Sequence, residues 1–577
     1  MQNSHLNLIT RRSFLSRSAK VGMAAALSTL VDIPFVMKRA LAEGNIGING
    51  KKVLFIWLRG ANDSLNSVIP MLDGQYSTSR PTLRVPRFNN SDAPYQTLGA
   101  AFDPTVYADP GGALRGTNDD TFSFANGIPL GNGFAALHPS LKFLSPMYNA
   151  GDLALVHRVA YPRQSRSHFD SQRYWENGNP NNNLVNDGIF YRTIYASGLA
   201  NTAPLTGVTI QSSLPLIMRG SEAAMTNLTD PTRYNLLGIP SPTGDVKADT
   251  AIATAGGYPF PPKLSRDLLA LQYKNLQQTL SLFASIDFTE AGNTFRDDIK
   301  TDGDTDWYPQ GGSNDSSGYY LFPTNSEKNG GWRRPTGAAV FNKYAVPTSL
   351  HGFFNQLKSA ALVLNRTDAM IAGTEFGGFD THVAQGSVTG SHPNLNRGIG
   401  WAMYALRKFF KTYGKGGTQP MPGATTSWDD LVVITLSEFG RTTVENADLG
   451  TDHAESGVMF VAGGKVNGYG KVVGGSPRAS AVFNCHPNEF GPAGNSTFLN
   501  WFNSSSTSAM FGVSNGYLRR NTDYRSVLGE IIRKHMGATQ NQLNSIIPGY
   551  ATGGENLLAG GVSSTDGTNI RGEVGFL

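Results

Sequence analysis

Five short stretches of this chain gather side chains able to bind metal, hold anions or move protons. They are Arg59-Gly60-Ala61-Asn62-Asp63-Ser64, Tyr161 to Phe169, Gly377-Gly378-Phe379-Asp380-Thr381-His382, Ser437-Glu438-Phe439-Gly440-Arg441 and Gly450-Thr451-Asp452-His453. The second of them contains Ser165, Arg166, Ser167 and His168. Asp380 and His382 stand two apart, so in extended backbone their side chains leave on the same face. That suits joint metal ligation and equally suits a plain Asp–His hydrogen bond. Carboxylates and imidazoles without thiolate select hard or borderline divalent cations: zinc, manganese, magnesium, calcium or iron. Paired cations would clamp the attacking and leaving oxygens of an ester. Arg59, Arg166 and Arg441 could hold an anionic group bidentately.

Each group also has a plainer reading. Asp63 could cap a loop, and His168 or His453 could be a hydrogen-bonded structural histidine. Glu438 and Arg441 could form one ion pair that holds their own loop. Ser165 or Ser167 precedes a helix expected from His168 to Trp175, where backbone donors and the helix dipole favour an oxyanion. Either serine could be a metal-activated nucleophile, or Ser167 could simply cap that helix. Five such clusters beside five expected strands point to one shared cleft.

The elements that must position these loops read as follows. Val53 to Leu58, Leu153 to Val156, Ala369 to Ala372, Leu431 to Leu436 and Val458 to Ala462 are apolar runs without polar alternation. Parallel strands buried on both faces read this way. Helical periodicity covers His351 to Leu364, Leu395 to Tyr413, and Tyr524 to Met536, the last begun by Thr522 or Asp523 as cap. Strands alternating with helices predict an open α/β sheet, with ligands bound outside the carboxyl ends of its strands. From about 180 to 348 the chain is rich in Gly, Pro, Asn and Ser, with acids clustered from Asp297 to Asp306. This stretch reads as a long loop-rich insertion or cap, with one helix expected from Lys263 to Phe288.

The N-terminus reads as an export leader. Thr10-Arg11-Arg12-Ser13-Phe14-Leu15 is followed by a modestly apolar stretch from Val21 to Val36 and by Ala40-Leu41-Ala42, a small-x-small cleavage site. The paired arginines point to the twin-arginine route, with its translocase as partner and the periplasm or exterior as destination. The apolar stretch holds Asp32 and Pro34 and is short for a membrane span. The formal charge of +5 comes from 48 Lys+Arg against 43 Asp+Glu, and residues 1–42 carry six of the bases and one acid. Residues 43–577 are therefore neutral, which removes the electrostatic case for a nucleic-acid partner. No second long apolar run suggests an integral membrane domain. Cys485 is the sole cysteine, so no intramolecular disulfide can form.

Taken in order, these motifs are similar to those of the exported domain-of-unknown-function 1501 family, a branch of the alkaline-phosphatase/sulfatase-like superfamily. The resemblance rests on Thr10 to Leu15, Leu58 to Asp63, Ser167-His168-Phe169, Gly378 to His382, Ser437 to Thr442, Gly450 to His453 and Thr522 to Arg525. It implies an alkaline-phosphatase-like three-layer sandwich: a mostly parallel central sheet flanked by helices, over residues 43–577. It also implies a two-metal phosphoryl- or sulfuryl-transfer site. Carried over by position, Asp63 matches the first-strand metal aspartate. Asp380 and His382 match the Asp/His pair, His453 the late histidine, and Asp452 stands beside it. Ser437-Glu438 falls where the superfamily normally has Asp-His, which replaces an imidazole ligand with a carboxylate. Ser167 matches the nucleophile by position.

These readings lead to a periplasmic metal-dependent hydrolase of phosphate or sulfate esters. Asp63, Asp380, His382, Glu438, Asp452 and His453 would be its ligands, Ser167 or a water its nucleophile, His168 a proton carrier, and Arg441 a stabiliser of developing charge. The alternative is a non-catalytic exported binding or assembly protein that has kept the fold and an ion site.

Overall fold

Val53 to Leu58 holds four β-branched or aromatic residues and no polar one, a run that suits a strand covered on both faces. In the computed structural model it lies within β1 (Lys52–Leu58), every residue of which is buried. The structure describes residues 46–47, 49–86, 127–199, 205–221, 225–231, 346–486 and 516–577, with scattered positions between 254 and 324. Residues 1–42, read as a leader, lie outside the described residues, as does most of the helix expected from Lys263 to Phe288.

The other strands of the central sheet are β2 (Leu153–Ala160), β3 (Gly207–Ile210), β4 (Thr226–Leu228), β5 (Ile371–Phe376), β6 (Leu431–Leu436), β7 (Gly457–Ala462), β8 (Val482–Phe483) and β9 (Thr522–Asp523). Their order is β8-β2-β7-β6-β1-β5-β3-β4, with β9 also on β2. The run from β4 through β3, β5 and β1 to β6 is parallel throughout. Phe55 stands opposite Gly373, and its ring occupies the space a side chain there would need, which helps fix that register.

Helices cover both faces. They are α1 (His168–Asn177), α2 (Ile189–Ala196), α3 (His351–Arg366), α4 (Ser391–Tyr413), α5 (Tyr524–Glu530) and α6 (Gln540–Ile546). Because strand side chains alternate, Leu54, Ile56 and Leu58 share one core with Phe354 and Leu357 of α3 and Ile399 and Leu406 of α4. Val53, Phe55 and Trp57 share the other with Ile194 of α2, Leu528 of α5 and Leu543 of α6. Asp523 caps α5 by accepting the Arg525 N–H. No helix among the described residues is long and apolar enough to cross a membrane.

Two features depart from the sequence reading. First, β7 runs antiparallel to both β6 and β2, although its sequence predicts a parallel strand. A strand buried on both faces carries no mark of its direction. Second, β3, β4 and α2 come from the stretch read as an insertion, so part of that stretch belongs to the sheet and its helical cover. Both strands are short, and Thr209 and Asn227 interrupt their apolar pattern. The reversal of β7 has a direct effect on the site: its beginning lies at the edge where β1, β2, β5 and β6 end. The loop before β7 therefore meets the loops after those four strands.

Candidate metal centre

The loops converge through close backbone contacts. Gly60 has φ of 108°, and a Cβ there would run into the Asp380 backbone nitrogen. The Phe379 N–H donates to the Arg59 carbonyl at 3.1 Å. Beyond β6 and before β7 the chain continues as a paired strip, with an Arg441–His453 bridge and the Thr442 N–H donating to the Asp452 carbonyl at 2.9 Å. Gly450 lies so near the His382 carbonyl that a side chain would not fit.

These contacts bring His168, Asp380 and His453 together, with one potential ligand atom from each lying within 4.8 Å of the others. His382 joins them: its Nε2 is 2.9 Å from His453 Nε2 and 3.0 Å from Asp380 Oδ1. His453 Nε2 is 3.2 Å from the same oxygen. Four zinc ligands at ~2.0–2.1 Å from a tetrahedral centre would stand roughly 3.3 Å apart, so three of these atoms already have nearly that spacing.

Each imidazole is held from behind through Nδ1. His453 Nδ1 lies 2.9 Å from the Arg166 carbonyl, His382 Nδ1 2.9 Å from Asp452 Oδ1, and His168 Nδ1 2.8 Å from Glu438 Oε1. A carbonyl and an ionised carboxylate can only accept, so each Nδ1 carries a hydrogen. In the neutral rings each Nε2 then presents a lone pair to the cluster. This backing of imidazoles is the arrangement that orients metal-binding histidines. Two lone pairs facing each other at 2.9 Å repel unless a proton or a cation lies between them. His168 Nε2 is buried and has no hydrogen-bond partner among the described residues, while Asp380 Oδ2 lies 3.5 Å away. The donor set and this unmatched nitrogen fit a borderline divalent cation.

The electrostatics follow from the contacts. Glu438 is fully buried, and burial alone would raise its pKa. Hydrogen bonds from His168, Gln172 and the Gly60 N–H outweigh burial and keep it ionised. Its bond in turn raises the His168 pKa. Asp380 is 45% exposed, and burial raises its pKa less than Arg441 and the neighbouring histidines lower it. Burial lowers the His453 pKa and so favours the neutral ring that ligation needs.

The nine residues singled out from the sequence thus separate. Asp380, His382 and His453 meet, and His168, expected as a proton carrier, joins them as a fourth donor. Glu438 and Asp452, expected as ligands, stand one bond back and orient His168 and His382. Arg441 is buried and donates from Nη2 to Asp380 Oδ1 at 2.8 Å. Ser167 caps α1, its Oγ accepting the Asp170 N–H. The structure does not bring Asp63 into the cluster. Asp63 is buried and accepts from Arg80 at 2.6 and 3.1 Å, from Gln385 Nε2 at 2.6 Å and from the Leu65 N–H at 3.1 Å. Arg59, read as an anion clamp, pairs with Glu176 and Glu375 and lies over Trp57.

Sequence reasoning missed Arg80, Gln385, Gln172 and Asn446. Asn446 donates to Asp452 Oδ1 at 3.0 Å. No motif marks any of the four. A cavity of about 390 Å³ bordered by Phe410, Lys415 and Trp428 includes none of the site residues.

Residues 360–490 match the family model described as Protein of unknown function (DUF1501). The matched segment contains Asp380, His382, Glu438, Arg441, Asp452 and His453 but neither Asp63 nor His168. No curated protein and no solved structure matches the chain.

Proposed function

We propose that this cluster is the divalent-cation site of a hydrolase acting on phosphate or sulfate esters in the periplasm. The carrying observation is the 2.9 Å contact between His382 Nε2 and His453 Nε2, in rings whose Nδ1 atoms are both committed as donors, with Asp380 Oδ1 beside them. His168, Asp380, His382 and His453 would hold the cation; of zinc, manganese, magnesium and calcium, three imidazoles with one carboxylate favour zinc, because the harder ions prefer oxygen ligands. When bound, such a cation supplies Lewis acidity and makes water a nucleophile at neutral pH.

The chain's own residues define the rest. Glu438 and Asp452 fix the tautomers of His168 and His382. Arg441 offsets the charge of Asp380. Arg166, 45% exposed, lies over Tyr517 and pairs with Glu455 at 3.7 Å; it would receive an anionic ester by exchanging that carboxylate for the substrate. With Ser167 engaged as a cap, the nucleophile is assigned to water. The reading is of one cation rather than two, because Asp63 and Glu438 are committed to protein donors.

The largely parallel sheet between helical layers supports placing the fold with the alkaline-phosphatase-like sandwiches. Residues 1–42 are assigned as the twin-arginine leader, with the translocase as export partner. The test is to purify the chain without its leader, measure bound divalent metal, and screen aryl phosphates and aryl sulfates. One equivalent of cation with turnover of one ester class is expected. A protein that takes up no divalent cation and leaves both classes intact overturns the reading.

The second reading, a non-catalytic binding protein, draws on Phe169 and Val383. They follow His168 and His382 directly and are 88% and 64% exposed, so apolar surface accompanies the site. That reading gains if the parent binds metal without turnover and Asp380→Ala abolishes partner capture.

A further inference from the structure

We propose that Gln385 is a positioning residue of the cation site, holding two of its three ligand-bearing segments, the Asp380–His382 loop and the His453 loop, at the spacing their imidazoles need; this rests on the cation reading above. The Gln385 side chain is fully buried, and its single carbonyl oxygen accepts two hydroxyls. Thr381 Oγ1 donates to it at 2.9 Å and Thr451 Oγ1 at 2.6 Å. Thr381 sits between Asp380 and His382, and Thr451 immediately precedes Asp452 and His453. One oxygen therefore joins the loop that carries Asp380 and His382 to the loop that carries His453. The Thr451 N–H donates to the Thr381 carbonyl at 3.2 Å and makes a second tie between the same residues.

The other end of the amide is anchored. Gln385 Nε2 donates to Asp63 Oδ2 at 2.6 Å, and a carboxylate there requires a donor, which fixes the orientation of the amide. Asp63 is held by Arg80, which also reaches the Thr442 and Thr443 carbonyls at 2.6 and 3.1 Å, just past Arg441. The buried network thus runs from these two loops through Gln385 and Asp63 to the strip behind Arg441. Gln385→Met keeps about the same volume and loses all three bonds.

The experiment uses the full chain without its leader, with Co2+ alone as probe and its visible absorption as the coordination signature. Gln385→Met is expected to weaken Co2+ binding by ~10- to 100-fold, the range for residues that orient ligands, and to alter the spectrum. Thr381→Val and Thr451→Val are expected to weaken it less. Combining Thr451→Val with Gln385→Met should add nothing, because one bond is removed twice. Parental affinity and spectrum in Gln385→Met overturn the proposal. If that variant does not fold, parental affinity in both threonine variants overturns it. A parent that binds no Co2+ refutes the cation reading instead. Imidazole 15N spectra of the metal-free chain then decide: Gln385→Met shifts the His382 and His453 resonances, and unshifted ones overturn the positioning role.

Discussion

Asp63 and Asp380 follow neighbouring parallel strands, five residues past the end of β1 and four past the end of β5, at the same edge of the sheet. Both are read from the sequence as metal ligands, yet their surroundings differ completely. Asp63 is buried, with both oxygens taken up by Arg80, Gln385 and a backbone N–H. Asp380 is 45% exposed and shares its oxygens with Arg441 and three imidazoles. The first region is closed, its groups satisfied within the protein. The second is open, with lone pairs aimed at common ground. A carboxylate's task is set by which donors reach it first, and in the closed region Arg80 does.

The closed region gives the largest expected effect. Arg80→Ala removes one member of a buried pair and should destabilise the protein by about 3–5 kcal/mol, read as a lower urea midpoint at unchanged slope. A shift near zero would mean that Asp63 is not held as described. Asp380→Ala tests the open side. It should cost more than about 100-fold in Co2+ affinity, above the range for residues that only orient ligands, with little change in the urea midpoint. Large destabilisation with intact affinity would exchange the two regions. Ser167→Ala should have the smallest effect. Loss of a cap costs about 1 kcal/mol, and ester turnover should stay within a few-fold of the parent. Abolished turnover in the folded variant would restore Ser167 as nucleophile.

The legible parts of the molecule were those with local signatures. β6 is bounded by Leu431 and Leu436 as read, because its apolar run ends where polar residues begin. The start of α5 was visible to within one residue, as a cap at Thr522 or Asp523, for a similar reason: the capping group, Asp523, lies two residues from the N–H it accepts. The direction of β7 was not legible, since Val458 to Ala462 has no face to betray its orientation. β3 and β4 were hidden by their brevity within a glycine- and asparagine-rich stretch. At the site, the motifs located Asp380, His382 and His453 but not the division of labour among their neighbours. Glu438 orients His168 across 270 positions, and Gln385 reaches Asp63 across 322. Contacts of that span leave no periodicity and no spacing to read.

The place of β1 in the sheet bears on how the chain can be made. It is the first strand of the sheet among the described residues, yet its two neighbours are β5 and β6, so one edge stays unpaired until synthesis has passed Phe376 and the other until it has passed Leu436. Both faces of β1 are apolar, and unpaired apolar strands invite association with other chains. Pairings of such sequence separation also slow folding, because a long loop must close before any contact rewards it. The nascent chain therefore carries an apolar strand with an open edge through most of its synthesis.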